Sequence, residues 1–209
     1  MVRKARIGAI YRHARRSALL AALVLIDAPL WPAGAAAENI TYDELKFGGL
    51  VHDAHFLGGR EKGADLNPEL ILQSPVTDAM LAGSPPWLRW ALQPRPTFGA
   101  EINTSGYTNQ WYFGATWTWL VAGNIVQPQD GIFLSYFFGP GFNDGDIIAR
   151  RPDHKSLGSS ILFREAFDLG YQFASGYNVS LFIDHVSNGG LAKHNQSIND
   201  VGLRLGLRF

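Results

Sequence analysis

The stretch Trp111-Tyr112-Phe113-Gly114-Ala115-Thr116-Trp117-Thr118-Trp119-Leu120-Val121 decides the fold. Trp111, Phe113, Ala115, Trp117, Trp119 and Val121 share one parity, while Tyr112, Gly114, Thr116 and Thr118 share the other. A repeat of two is the signature of a β-strand whose faces meet different surroundings. The stretch lies in an uncharged run between Glu101 and Asp130, but Asn, Thr, Gln and Gly recur through that run. That excludes a membrane-spanning helix there.

Working outward, the same alternation gives eight segments, roughly 43–54, 65–74, 94–104, 109–121, 131–140, 158–173, 177–188 and 199–209. Their apolar rows include Leu45/Phe47/Val51, Leu66/Leu70/Leu72, Phe98/Ala100/Ile102, Ile161/Phe163/Phe167/Leu169/Tyr171, Val179/Leu181/Ile183 and Val201/Leu203/Leu205/Leu207/Phe209. The fifth segment, with Ile132/Leu134/Tyr136/Phe138, is apolar on both sides, and its facing stays open. Opposite faces carry Lys46, Glu69, Glu101, Arg164, Asp168, Asp184, Arg204 and Arg208. Soluble sandwiches use shorter strands and turn their polar face outward. Strands of about ten residues with an aromatic-rich face and a charged face fit a transmembrane barrel. The expected fold is all-β: an eight-stranded antiparallel transmembrane β-barrel of the bacterial outer membrane, its lumen packed with side chains and ion pairs. The terminal Phe209 matches the end of such barrels. Residues 77–91, with Pro85-Pro86-Trp87 and Trp90, read as a loop or short helical excursion.

Composition narrows the function. The 209 residues include no cysteine, so disulfide scaffolds, thiolate metal sites and cysteine nucleophiles are excluded. Eighteen basic residues balance eighteen acidic ones. Six of the basic residues (Arg3, Lys4, Arg6, Arg12, Arg15, Arg16) precede Ala37, so the remainder is acidic and unsuited to nucleic acid. Residues 18–26 form an apolar run too short to span a bilayer, and Ala35-Ala36-Ala37 follow. This is the order of a secretory signal, residues 1–37, with the barrel in 38–209. With an even strand count both termini lie on the periplasmic side, and the loop 189–198 faces the cell exterior.

One constellation breaks the alternation. The lipid-facing parity of the seventh segment, continued past Ile183, reaches His185 and Ser187. The corresponding parity of the eighth reaches Asn199. Polar groups on a lipid face are costly and are functional when present. Ser187 can attack an acyl carbonyl if His185, two positions away on the same face, takes its proton. A third group must orient the imidazole. Asp200 has the wrong parity and should point inward. A turn at Ala174-Ser175-Gly176 pairs Phe173 with Tyr177 and sets Glu165 directly across from His185, so Glu165 stands as an alternative or additional acid.

The run Asp184-His185-Val186-Ser187-Asn188-Gly189-Gly190-Leu191, then Asn195, then Gly202-Leu203-Arg204-Leu205-Gly206-Leu207-Arg208-Phe209, resembles the C-terminal signature of the outer-membrane lipid A 3-O-deacylases. Leu157-Gly158-Ser159 and Leu162-Phe163-Arg164-Glu165 resemble a further segment of that family. The resemblance covers about the last fifty residues. It implies an eight-stranded barrel that hydrolyses the ester-linked acyl chain at position 3 of lipid A. In that pattern His185 corresponds to the general base, Ser187 to the nucleophile, and Asn188 to a motif asparagine contributing, with the neighbouring Gly189, to oxyanion stabilisation. The best-known members of that family use a glutamate as the third member, and the corresponding position here is Asn199. No cofactor and no metal is expected. His52, Asp53 and His55 read as a solvated loop, and Asp144 and Asp146 as an exposed turn. The expected partners are lipid A or lipopolysaccharide and the outer membrane, crossed in multiple passes, with a homodimer left open. A non-catalytic structural or adhesive barrel is the alternative from another class, and a lipid acyltransferase the rival enzyme.

Overall fold

Because alternate side chains of each strand face opposite media, the sheet can close on itself with its apolar rows outside. The computed structural model describes residues 42–209, so the expected leader, residues 1–37, lies outside the described residues. The strands are β1 (Glu44–Val51), β2 (Ala64–Ile71), β3 (Arg95–Asn103), β4 (Gln110–Gly123), β5 (Gly131–Asn143), β6 (Ile161–Gln172), β7 (Tyr177–Ser187) and β8 (Val201–Arg208). Each pairs antiparallel with its sequence neighbours, and β8 pairs with β1 to close the barrel. Among the described residues no helix is long and apolar enough to cross a membrane. Asp43 and Phe209 exchange backbone hydrogen bonds, so one end of the barrel carries the chain terminus and the opposite end carries the loops 52–63, 104–109, 144–160 and 188–200.

The outer wall is the apolar set read from the sequence. Phe47, Phe98, Trp111, Leu181 and Leu205 are all exposed, as a lipid-facing belt requires. The fifth strand is now assigned: Ile132 and Phe138 are exposed, whereas Phe133 and Phe137 are buried in the lumen. Its double apolarity has a physical cause. Phe137 joins Leu50, Tyr112, Ala166 and Phe182 in an interior cluster, and the Arg164 guanidinium lies 3.7 Å from the Tyr112 ring centroid. Gly99 makes room for this arrangement. A Cβ there would come within 2.4 Å of the Tyr112 ring and hydroxyl. Tyr112 thereby reaches across to Glu69 (2.9 Å) and Asn67 (2.8 Å).

Strand ends depart from expectation by up to three residues. β1 stops at Val51 because the chain turns inward: Asp53 takes a left-handed backbone (φ 46). β6 begins at Ile161 because Gly158, also left-handed (φ 77), donates its N–H to Ile147 in the loop. Residues 77–91 hold a short helix, α1 (Pro86–Ala91). Trp90 stacks on Trp119 at 4.4 Å, and Trp117 donates its indole N–H to Ala91 O at 3.2 Å. This segment therefore covers β4 beyond Thr116, the residue that pairs with the first residue of β3.

His52 and Asp53 do not form the solvated loop expected of them. Both are buried. The His52 imidazole donates to Asp65 (2.7 Å) and Glu61 (3.1 Å), and Glu61 in turn accepts the backbone N–H groups of Thr108 (3.2 Å) and Lys155 (2.9 Å). Three loops are tied together through these two side chains. Burial alone would lower the His52 pKa, but the hydrogen bonds to Asp65 and Glu61 outweigh it and hold the imidazolium up to about 9. Burial would raise Glu61, but the bonds from His52, Lys155 and Thr108 bring it down to about 2. The His52 contribution to stability is complete below the ordinary value of 6.5 and lost as pH rises through about 9. The Glu61 contribution is complete above 4.5 and lost as pH falls through about 2. The thermal midpoint in detergent is therefore expected to fall as pH rises through about 9, and the His52→Gln variant to lose that alkaline limb. Unfolding curves of both proteins across the pH range, with an identical alkaline limb as the contrary result, check this.

Candidate active site

β7 and β8 continue their pairing beyond Ile183↔Val201. Asp184 N–H donates to Asp200 O (3.0 Å), and Val186 and Ile198 exchange hydrogen bonds. In this register His185 lies opposite Asn199. The pleat sends Asp184, Val186, Ile198 and Asp200 inward, where all are buried, and turns His185, exposed, and Ser187, half-buried, to the outer wall.

There the three side chains form a relay. Asn199 Oδ1 lies 2.7 Å from His185 Nδ1, and Ser187 Oγ lies 3.0 Å from His185 Nε2. The Asn199 amide nitrogen is directed to Ser197 Oγ (3.4 Å), which leaves its oxygen for the imidazole. A carbonyl oxygen only accepts, so Nδ1 carries the proton. The Nε2 lone pair then faces the Ser187 hydroxyl, the tautomer a general base requires.

Glu165 is where the register arithmetic placed it, paired with His185 and exposed on the same wall. Its carboxylate bonds to the Tyr136 hydroxyl, however, and the position at Nδ1 belongs to Asn199. Glu165 is thus near the site but does not orient the imidazole. Asn188 departs from its expected place at the oxyanion. It is buried, and its amide nitrogen donates to Leu157 O (2.8 Å) and His194 O (2.6 Å). Its oxygen accepts Gly190 N–H (2.9 Å), and its own N–H goes to Asn195 Oδ1 (2.9 Å). Asn188 therefore shapes the loop behind Ser187 and has no amide hydrogen left for a substrate.

Gly189 and Gly190 both take left-handed backbone (φ 63 and 82), a turn that a side chain would strain. The loop is held from below by a buried apolar cluster, Leu157, Leu162, Val186 and Ile198. Lys155 pins it from the side, bonding Ser197 O and Asp53 Oδ1. The sequence reading gave Asn195 and Lys155 no role. The partners that give them one, Asn188 N and Asp53, are set by loop folding rather than by strand parity.

Beside Ser187 lies an apolar groove of about 420 Å³, lined by Phe138, Pro140, Ile161, Phe163, Leu191 and Ala192 among others. Two of its lining residues border Ser187: Phe163 pairs with it across the strands, and Asn188 follows it in the chain.

Comparison with known proteins places this geometry in context. No curated protein matches the chain. Among solved structures, the crystal structure of the outer membrane enzyme PagL is similar in fold, with a TM-score of 0.57 at 17% identity over 78% of this chain and 98% of that one. The N-terminal β-barrel domain of Pseudomonas aeruginosa OprF aligns over 81% of this chain and 98% of that one, at 12% identity and a TM-score of 0.47. A family model described as Lipid A 3-O-deacylase (PagL) matches residues 81–208, which hold β3 to β8 and every residue of the relay. With more than half of its length matched by that model, the chain belongs to the PagL family of lipid A 3-O-deacylases, β-barrel proteins of the outer membrane.

Proposed function

We propose that the chain is a serine esterase that removes the 3-O-linked acyl chain of lipid A in the outer leaflet of the outer membrane. The observation that carries this reading is the Asn199–His185–Ser187 relay on the lipid-facing wall, a place where a barrel needs only apolar side chains. Lipid A reaches the site by lateral diffusion, so no deep pocket is required. One acyl chain lies in the groove that begins at Phe163, bringing its ester carbonyl to Ser187. His185 Nε2 takes the Ser187 proton as Oγ attacks. The Gly189 N–H makes no hydrogen bond within the described residues, and it supplies a donor for the oxyanion. His185 then returns the proton to the departing sugar hydroxyl. Water, activated by the same imidazole, releases the fatty acid from Ser187.

Asn199 supports this cycle by fixing the tautomer, but as a neutral amide it gives the imidazolium no charge stabilisation. A purely structural or adhesive barrel leaves the three lipid-facing polar groups unaccounted for. An acyltransferase would use the same relay but pass the chain to an alcohol instead of water.

Mass spectrometry of lipid A from cells expressing the chain is expected to show loss of one hydroxyacyl group. In Ser187→Ala the loss should disappear, a fall of about a thousandfold or more in rate. Gain or transfer of a chain would favour the acyltransferase. Unchanged deacylation in Ser187→Ala would sink the assignment.

The two candidates for the third position separate cleanly. Asn199→Ala is expected to lower kcat about a hundredfold, less than the loss of a charged orienting carboxylate, because a neutral amide fixes only the tautomer. Glu165→Gln should stay within about threefold of the parent, because its partner is Tyr136. Asn199→Glu should raise kcat above the parent by restoring charge to the imidazolium. Micellar assays of the three variants decide it, and a collapse of activity in Glu165→Gln alone would reverse the assignment.

Ala192→Trp fills the groove. It should lower kcat/KM about tenfold for long acyl chains, the equivalent of about two buried methylenes, and leave short esters unaffected. Equal losses on both substrates would remove the acyl chain from this groove.

A further inference from the structure

The buried charges of the lumen fall into two layers with different balance. Toward the terminal end, Glu44, Glu69 and Asp168 meet Lys46, Arg95 and Arg204, three against three. Toward the loop end, the buried carboxylates of Asp53, Glu61, Asp65, Glu101, Asp184 and Asp200 meet Lys155, His52 and Arg164, six against three. Counting His52 as imidazolium, three negative charges remain without a buried cation.

The surplus can be located. Asp53 pairs with Lys155 (2.5 Å), Glu61 and Asp65 share His52, and Glu101 (2.6 Å) and Asp184 (3.0 Å) share Arg164. Asp200 is left over. His52 Nδ1 is 3.6 Å from it but bonds Asp65 at 2.7 Å. Asp200 Oδ1 accepts the Asp53 N–H (2.6 Å), while Oδ2 is buried and accepts nothing. A second orphan lies close by. Gln110 must turn its amide nitrogen to Glu101 Oε2 (3.1 Å), and this strands its Oε1, buried and without a donor. Buried oxygens without partners are costly and call for an explanation.

Two triads could gather a cation: His52–Asp65–Asp200 and Glu101–Asp184–Asp200, each with ligand atoms within 4.8 Å of one another. In the first, both His52 nitrogens are engaged by carboxylates, Asp65 and Glu61, so the ring is a double donor with no lone pair to offer. The second offers oxygen alone, the donor set of a hard divalent ion. We infer that Glu101, Asp184 and Asp200 bind one Ca²⁺ ion in the loop end of the lumen, with Gln110 Oε1 as a neutral donor beside them. The ion supplies the charge that Arg164, shared between two carboxylates, does not.

This site lies behind the relay, on the other face of the same two strands. Asp184 precedes His185, and Asp200 follows Asn199. Relief of the Asp184–Asp200 repulsion holds β7 and β8 together where His185 meets Asn199. Asp184 and Asp200 are positioning residues in this arrangement and never touch the substrate.

The test is independent of hydrolysis. Folded full-length protein in detergent is stripped with EDTA and dialysed against radioactive Ca²⁺ at neutral pH. The expected result is one ion bound per chain and a thermal midpoint raised on the order of 5 °C at a hundredfold excess over Kd. Asp200→Asn should abolish both effects. Gln110→Met, which removes only neutral atoms, should weaken binding about tenfold while the barrel still folds. The exposed loop pair Asp144→Asn/Asp146→Asn should bind as the parent does. No bound ion in the parent protein overturns the inference, as does loss of binding in the loop variant instead of Asp200→Asn. A midpoint that rises on acidification with no ion bound also overturns it, since shared protons then neutralise the cluster.

Discussion

A β-strand must alternate, and in this barrel the alternation separates two chemistries that cannot share a medium. From Asp184 to Asn188, inward positions carry acid, valine and a loop-bracing amide, while outward positions carry imidazole and hydroxyl. Opposite them, Ile198 and Asp200 face inward and Asn199 faces out. A shift of one residue in β7 would bury His185 among carboxylates and push Asp184 into lipid, and the same shift in the β8 segment would do so to Asn199 and Asp200. The register is protected by that penalty, because each misplaced charge would lose the partners that make its burial tolerable. The relay is thus held in place by the residues between its members.

Placing the relay at the loop end of the wall also limits its cost. Polar groups are most expensive at the hydrocarbon midplane and become inexpensive toward the interface. His185 and Ser187 lie within the last three positions of β7, and Asn199 lies two residues before β8. An uncharged Asn199 lowers this cost further, since an ionised carboxylate there would need hydration or a cation. The exchange is catalytic power for easier burial. The neighbouring Glu165 stands on the same wall with its carboxylate hydrogen-bonded to the Tyr136 hydroxyl.

The strands and their facing were legible because lipid on one side and a packed lumen on the other impose opposite requirements on alternate residues. β5 was the exception, and the reason is local. Phe133 and Phe137 serve the lumen as cation–π partners of Lys46 and Arg164, so aromatic residues appear on both faces. His185, Ser187 and Asn199 could be placed because they follow strand parity, and Glu165 because a three-residue turn fixes register. What could not be read was which partner each side chain selects. Tyr136 draws Glu165 from two residues along the neighbouring strand, and Asn188 turns into its own loop. His52 continues the inward parity of Lys46 and Leu50, a signal the loop reading passed over, whereas Asp53 breaks that parity and its burial is set by the loop partners Lys155, Arg60 and Glu61.

The packed lumen also determines how a substrate can arrive. Arg164, Arg204, Tyr112 and Phe137 are buried in the lumen, where the two guanidinium groups are tied to Glu101, Asp184, Glu69 and Asp168. The proposed reaction takes place on the wall instead, where a lipid is already concentrated in two dimensions and its chains need not leave hydrocarbon. In that proposal the apolar groove bordered by Phe163 orients an ester that the bilayer has already brought to the depth of Ser187. The scaffold then has one demanding task, to keep two strand ends and a glycine turn rigid at the membrane surface. The dense hydrogen bonding of loops 144–160 and 188–200 through Asn188, Lys155 and Gln196 performs it.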